Sequence, residues 1–229
     1  MTTGEPHPHP HIEVTPHGPY EVSGDIPLRP KTIVRSEEGR AMTWKTHLDL
    51  AHPPTYLLCR CGQSQNKPFC GGSHAFELFD GTESASTDTT AERAEVHDGP
   101  GLKVLKDTEL CQHAGFCTTV ATNWFEMVPR TDDHELRVQL MGMIEHCPSG
   151  ALTYELDGER FEPDLPVVVA PVTDGPLFVS GGVELERADG QPVEIRNRMT
   201  LCRCGGSANK PFCDGTHYEN GFEAPYDAD

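Results

Sequence analysis

All nine cysteines of this 229-residue chain fall into three groups of three, and two of those groups are near-copies of each other. The first copy reads Cys59-Arg60-Cys61-Gly-Gln-Ser64-Gln-Asn-Lys67-Pro68-Phe-Cys70-Gly71-Gly-Ser-His74. The second reads Cys202-Arg203-Cys204-Gly-Gly-Ser207-Ala-Asn-Lys210-Pro211-Phe-Cys213-Asp214-Gly-Thr-His217. Three thiols and one imidazole within sixteen residues form a four-donor metal set. Cys111, Cys117 and Cys147 follow another spacing and imply a third site of a different kind. A chain organised this way is expected to fold as small modules around bound metal.

Composition agrees with that expectation. Apolar residues make up 36% of the chain, beside 22 glycines and 20 prolines, so one large core is disfavoured. The formal net charge is −18 before any thiolate is counted, which sets nucleic acid and anionic membrane aside as partners. A redox partner protein with a basic docking surface fits better. The first thirty residues lack an apolar signal core, and no run approaches the roughly 18 apolar residues of a membrane span. An odd cysteine count speaks against a disulfide framework, and the expected location is a reducing cytoplasm with the thiols kept as ligands.

The repeat extends upstream of the thiols. Gly18-Pro-Tyr-Glu-Val-Ser-Gly24 matches Gly175-Pro-Leu-Phe-Val-Ser-Gly181, each followed by an extended stretch and a Cys-Arg-Cys. The spacing from glycine to cysteine is 41 residues in the first copy and 27 in the second, which assigns the surplus to a surface insertion at 35–52. The expected organisation is a disordered tail over 1–17 and a first metal-loop module over 18–80. A linker over 81–100, a middle module over 101–160, a connection over 161–171 and a second copy over 172–229 complete it. The tail carries His7, His9 and His11, whose alternation with proline would otherwise suit adventitious metal capture. In the middle module, strands are predicted at 102–106 and 151–156, and helices at 118–125 and 134–146. The fold class predicted is α+β: two small β-rich halves in a pseudo-twofold arrangement plus an α+β module, a monomer with an internal pseudo-dimer.

Spacing explains the chemistry of the copied loops. In an extended Cys-x-Cys both thiols point to one side, because strand side chains alternate with period two. Cys70 and His74, like Cys213 and His217, are four apart and share a face if the segment begins a helix. Two thiolates on one metal and a thiolate plus imidazole on another describe a [2Fe–2S] rhomb, with a mononuclear Cys3His zinc site as the alternative. Ser64 and Ser207 are candidates to bond a sulfur or to cap the backbone. Lys67, Lys210, Arg60 and Arg203 are read as solvated loop residues.

Both loops resemble the CDGSH iron–sulfur family of the mitoNEET type, with its pattern Cys-x-Cys-x2-Ser/Thr-x3-Pro-x-Cys-Asp-Gly-Ser/Ala/Thr-His. The second copy fits at every specified position; the first has Gly71 where the family has aspartate. The resemblance implies one [2Fe–2S] cluster held by Cys59, Cys61, Cys70 and His74, and another by Cys202, Cys204, Cys213 and His217. It places each histidine on the outer iron, which raises the potential and makes the cluster labile in mild acid. Asp214 is expected to cap the helix presenting His217, a role Gly71 cannot play, so the two clusters are expected to differ in potential or acid stability.

The middle segment, Cys111-Gln-His113-Ala114-Gly115-Phe-Cys117 with a distant Cys147-Pro148-Ser-Gly150-Ala-Leu, resembles a single-cluster bacterial ferredoxin in its divergent mono-cluster form. Ala114 stands at the second ligand position and cannot bind iron. Three cysteines suit a [3Fe–4S] cluster; the alternative, [4Fe–4S], needs His113, water or an outside ligand. Gly115 and Gly150 permit close backbone approach, while Trp124 and Phe125 are read as core or as an electron path. No nucleophile–base pair, phosphate loop or substrate motif appears, so the expectation is no enzyme but electron transfer between protein partners. The alternatives are cluster storage, transfer or redox and pH sensing, and a zinc-stabilised interaction module.

Overall fold

The computed structural model describes residues 9–226, so His7 and the first part of the expected tail lie outside the described residues. Along the chain, β1 (His11–Val14) and β2 (Tyr20–Ser23) precede a hairpin of β3 (Lys31–Arg35) and β4 (Ala41–Thr46), then β5 (Tyr56–Leu58). The middle of the chain supplies α1 (Thr90–Arg93), β6 (Glu95–Asp98), β7 (Lys103–Lys106), α2 (Trp124–Met127), α3 (His134–Glu145), β8 (Leu152–Leu156) and β9 (Glu159–Phe161). It ends with β10 (Val168–Pro171), β11 (Leu177–Ser180), β12 (Glu184–Glu186) and β13 (Arg198–Leu201). The result is a strand-rich α+β protein, and no helix among the described residues is long and apolar enough to cross a membrane.

The strands form sheets ordered β12-β1-β2-β5, β10-β11-β13 and β6-β7-β8-β9, with β3-β4 apart. The first sheet joins the two ends of the chain. β1 runs antiparallel to β2 and parallel to β12, with His11 opposite Glu184 and Ile12 opposite Leu185. Ile12, Val14, Tyr20, Val22 and Leu58 from the first copy share one core with Leu177, Val179, Met199 and Leu201 from the second. Each such fully buried side chain contributes about 1.5–3 kcal/mol, which drives the halves together. The tail expected through residue 17 is therefore ordered from His11, because every second residue from Ile12 is apolar and finds this core.

Three further expectations change. The surplus at 35–52 is not merely a surface insertion: its β3–β4 hairpin turns Trp44 inward, 5.8 Å from Phe178 and 5.1 Å from Phe116 by ring centroids. Ala41 of the same hairpin packs against Ala114 and Phe116. The expected linker contains α1 and β6, and β6 pairs with β7 as the edge of the middle sheet. The expected connection after 161 contains β10, buried along its whole length.

The middle module follows its sequence closely. In α3, Asp133 caps the N-terminus by accepting from the amides of Glu135 and Leu136 at 2.9 and 3.2 Å, and Leu140, Met143 and Ile144 face the core. The helix expected at 118–125 starts only at Trp124. Thr119 instead closes a turn with Thr122 (2.7 Å), and Asn123 caps the shortened helix. Buried Arg198 ties the module to the second copy, donating to the carbonyls of Ile144, Glu145 and Leu152 at 3.1, 2.5 and 3.2 Å.

Candidate metal centres

Each copied loop leaves a strand at its first thiol and returns antiparallel to it. Cys59 N–H donates to Pro68 and Cys70 N–H to Leu57, both at 2.8 Å; the second copy repeats this with Cys202 to Pro211 and Cys213 to Thr200 at 2.8 and 2.9 Å. Both prolines follow cis peptide bonds. The return places donors in pairs. The sulfurs of Cys59 and Cys61 lie 3.9 Å apart, as do those of Cys202 and Cys204. The Cys70 sulfur is 3.5 Å from His74 Nδ1, and the Cys213 sulfur 3.3 Å from His217 Nδ1.

These spacings are those of two ligands on one tetrahedral metal, where bonds of roughly 2.1–2.3 Å put neighbouring donors about 3.6–3.8 Å apart. Among the described residues, no three Cys, His, Asp or Glu side chains converge on a point suited to a single ion. The donors of each loop thus come as two pairs rather than one tetrad.

Backbone amides supply the surroundings of the sulfurs. Gly62 and Ser64 point N–H groups at Cys59, Gln63 at Cys61, and Gly72 at Cys70. Ser207, Gly206 and Gly215 do the same for Cys202, Cys204 and Cys213. Such amides stabilise anionic sulfur, and each Cys-x-Cys pair accordingly releases one proton readily. Within each pair one thiol donates to the other, which holds the acceptor's pKa down and pushes the donor's up. Burial, with the Arg203 charge behind it, pushes His217 down to about 4, so its imidazole is neutral with a free lone pair at neutral pH.

The copies differ in shelter. His217 is only 4% exposed and Cys213 is buried, whereas His74 and Cys70 are half-buried. Asp214 contributes to this difference: its carboxylate accepts from Thr216 N–H and Oγ1 at 3.0 and 2.7 Å and from Ala208 N–H at 2.8 Å. The expected cap is thus a brace that ties both ends of the loop, and Gly71 offers none of it.

In the middle module the three thiols line one cavity of about 360 Å³ with His113, Ala114 and Trp124. Cys117 lies close enough to Cys147 and Cys111 to be raised by them, after the larger effect of burial. Gly115 and Gly150 adopt φ of +92° and +66°, a region that favours glycine, at the two turns carrying the ligand candidates. Ala114 is buried in the wall and His113 is exposed at the rim.

Family comparison bears directly on this arrangement. The family described as "Iron-binding zinc finger CDGSH type" matches residues 17–75 and 174–218, and "Divergent 4Fe-4S mono-cluster" matches residues 97–157. The outer modules are CDGSH-type and the middle one is a divergent 4Fe–4S mono-cluster module. No curated protein and no solved structure matched the chain.

Within the CDGSH modules, the arginine between the thiols is not the solvated residue expected. Arg60 and Arg203 are each 1% exposed. Arg60 donates to Gly81 O (2.7 Å) and Thr15 O (3.4 Å). Arg203 donates to Val172 O (2.6 Å), Gly175 O (2.9 Å) and the Tyr226 hydroxyl (2.9 Å). The signal lay in the alternation itself: if both thiols face one side, the residue between them faces the other, into the protein. Ser64 and Ser207 cap the loop backbone, donating to Phe69 O and Phe212 O at 2.7 Å each. Lys210 donates to Ser207 O at 2.7 Å and Lys67 sits 5.7 Å from the Phe222 ring centre, so neither is simply solvated. Phe125 is exposed rather than core, while Trp124 lines the cavity of the mono-cluster module.

Proposed function

We propose that this iron–sulfur protein carries electrons between protein partners through three clusters: a [2Fe–2S] cluster in each CDGSH module and a [3Fe–4S] cluster in the middle one. The observation that carries this reading is the pairing of donors, two sulfurs at 3.9 Å and a sulfur with an imidazole nitrogen at 3.3–3.5 Å in each loop, with amides aimed at every sulfur. Cys59, Cys61, Cys70 and His74 hold one cluster, Cys202, Cys204, Cys213 and His217 the second, and Cys111, Cys117 and Cys147 the third. Two donor pairs per loop favour a two-iron core over a lone zinc ion. Ala114 in the cavity wall favours three irons over four, the latter requiring a further ligand from His113 or solvent. The clusters supply one-electron chemistry; the protein supplies their position, their shielding and a route to the surface.

The two CDGSH modules pair as an internal dimer, supported by the reciprocal approach of Cys61 and Cys204 in a backbone bridge. The exit to a partner is at the first copy. Beside its half-buried His74, Phe76 and Leu78 are 86% and 90% exposed, flanked by Glu77 and Asp80. An apolar tip among carboxylates suits a partner with a basic rim, and exchange should slow as salt rises.

The test is iron and acid-labile sulfide content on anaerobically purified protein, with electron paramagnetic resonance of the oxidised and reduced states. Coloured protein with sulfide and reversible reduction supports the reading; colourless folded protein without sulfide ends it. The openness of His74 also favours a second reading, release of the first cluster to an acceptor. An apo-acceptor assay separates the two, since a pure carrier is reduced reversibly and donates no cluster.

A further inference from the structure

We infer that the middle module exchanges electrons directly with the second CDGSH module, across the contact of His113 with Gly215 and beside the Tyr218 ring, and reaches the first module only through the second. The inference rests on the reading just given and deepens it by fixing the order of the relay.

The two CDGSH loops carry the same donor types at the same spacing but differ in surroundings. At Gly215 an added Cβ would lie 3.0 Å from His113 Cδ2 and 3.3 Å from Gln112 O, so the ligand-bearing turn of the middle module presses on the turn between Cys213 and His217. At the matching Gly72 nothing lies within 4 Å. Asn209 of the second loop also donates to Glu109 O at 2.7 Å, two residues before Cys111. The first copy meets the middle module at its β3–β4 hairpin, where Ala41 packs against Ala114 and Phe116.

Ring placement follows the same asymmetry. The Tyr218 ring lies 4.0 Å from the His217 ring by centroids. A shared cleft is lined by Gln112, beside Cys111, together with His217 and Tyr218. In the first copy the residue after the histidine is Ala75, which offers no ring. From the second copy onward, the Cys61–Cys204 backbone bridge leads to the first. One electron leaves the reduced middle centre and enters the oxidised centre of the second copy; no bond forms or breaks, and no other reactant is consumed.

The experiment uses the full-length, iron-loaded protein. His74→Cys and His217→Cys, each shifting the spectrum of its own copy, assign the two CDGSH resonance signals. Spin relaxation of the second-copy signal is expected to be enhanced by the paramagnetic middle centre, with that of the first copy little changed. Equal enhancement in both copies, or enhancement of the first alone, overturns the inference. Electron equilibration after photochemical one-electron reduction is then followed in Tyr218→Leu and Tyr218→Phe. The leucine variant should equilibrate several-fold more slowly with unchanged potentials, and the phenylalanine variant should recover the rate. Unchanged kinetics in Tyr218→Leu, or slowing accompanied by shifted potentials, overturns the role given to Tyr218. Loaded centres without the relaxation asymmetry defeat this inference alone, whereas protein without iron and sulfide defeats it together with the function proposed above.

Discussion

Cys61 and Cys204 face each other across an antiparallel backbone bridge, so the two outer metal loops meet at a residue that each supplies as a ligand candidate. The next residue in each loop completes the contact. A Cβ on Gly62 would sit 2.6 Å from Cys204 O, and one on Gly205 would sit 2.6 Å from Cys61 O. At this contact backbone lies on backbone.

Gly62→Ala and Gly205→Ala should therefore each disturb both CDGSH sites. Both glycines have φ near +80°, and strain of this kind costs about 1–3 kcal/mol before the clash is counted. The expected outcome is a lower urea midpoint and altered visible spectra of both loops. A variant that changed only its own loop would contradict the shared contact.

Tyr20→Phe should weaken the second copy from a residue of the first. The Tyr20 hydroxyl donates to Cys202 O at 2.8 Å and Pro211 O at 3.1 Å, and burial raises its pKa so that it stays a donor. Removing it takes the hydroxyl donor from the Cys202 carbonyl, while Pro211 O keeps the Cys202 amide, at a cost of about 1–3 kcal/mol readable by denaturant titration. Loss of colour should begin at the second loop.

Arg198→Met should loosen the middle module selectively. The methionine keeps part of the stem but abandons three carbonyls held by a charged donor, a loss of about 1.5–3 kcal/mol. Limited proteolysis within 97–157, with CDGSH absorbance retained, is the expected pattern.

Chelator should strip the first copy before the second. Water reaches His74 and Cys70, while His217 and Cys213 are covered and the Asp214 brace closes their loop. Asp214→Gly should bring the second copy towards the behaviour of the first, lowering its metal retention about tenfold or more. Bleaching followed in His74→Cys and His217→Cys backgrounds assigns each phase; one common rate for both copies would refute the expectation.

The eleven ligand candidates were legible because the donors of each loop are close in sequence, and chemistry restricts their types and spacing. Strand and helix in the middle module were legible for a similar reason, since Asp133, the apolar face of α3 and Pro148 are local signals. What escaped was non-local. Ile12 meets Leu185 and Trp44 meets Phe178, contacts that no window along the chain contains. The Thr118–Thr122 stretch misled because its hydroxyls and amides satisfy one another in a turn. Tyr218 gave no signal beyond its difference from Ala75, and that difference carries meaning only once Gln112 is seen to line the same cleft.

The parallel pairing of β1 with β12 has a consequence for biogenesis. A nascent chain emerging from the ribosome exposes all donors of its first loop by His74, yet the neighbour of Ile12 is not synthesised until Leu185. Until then the sheet beneath that loop lacks an edge. The first sheet is therefore completed only late in translation, and a chain truncated before Glu184 would leave β1 without the strand that covers it.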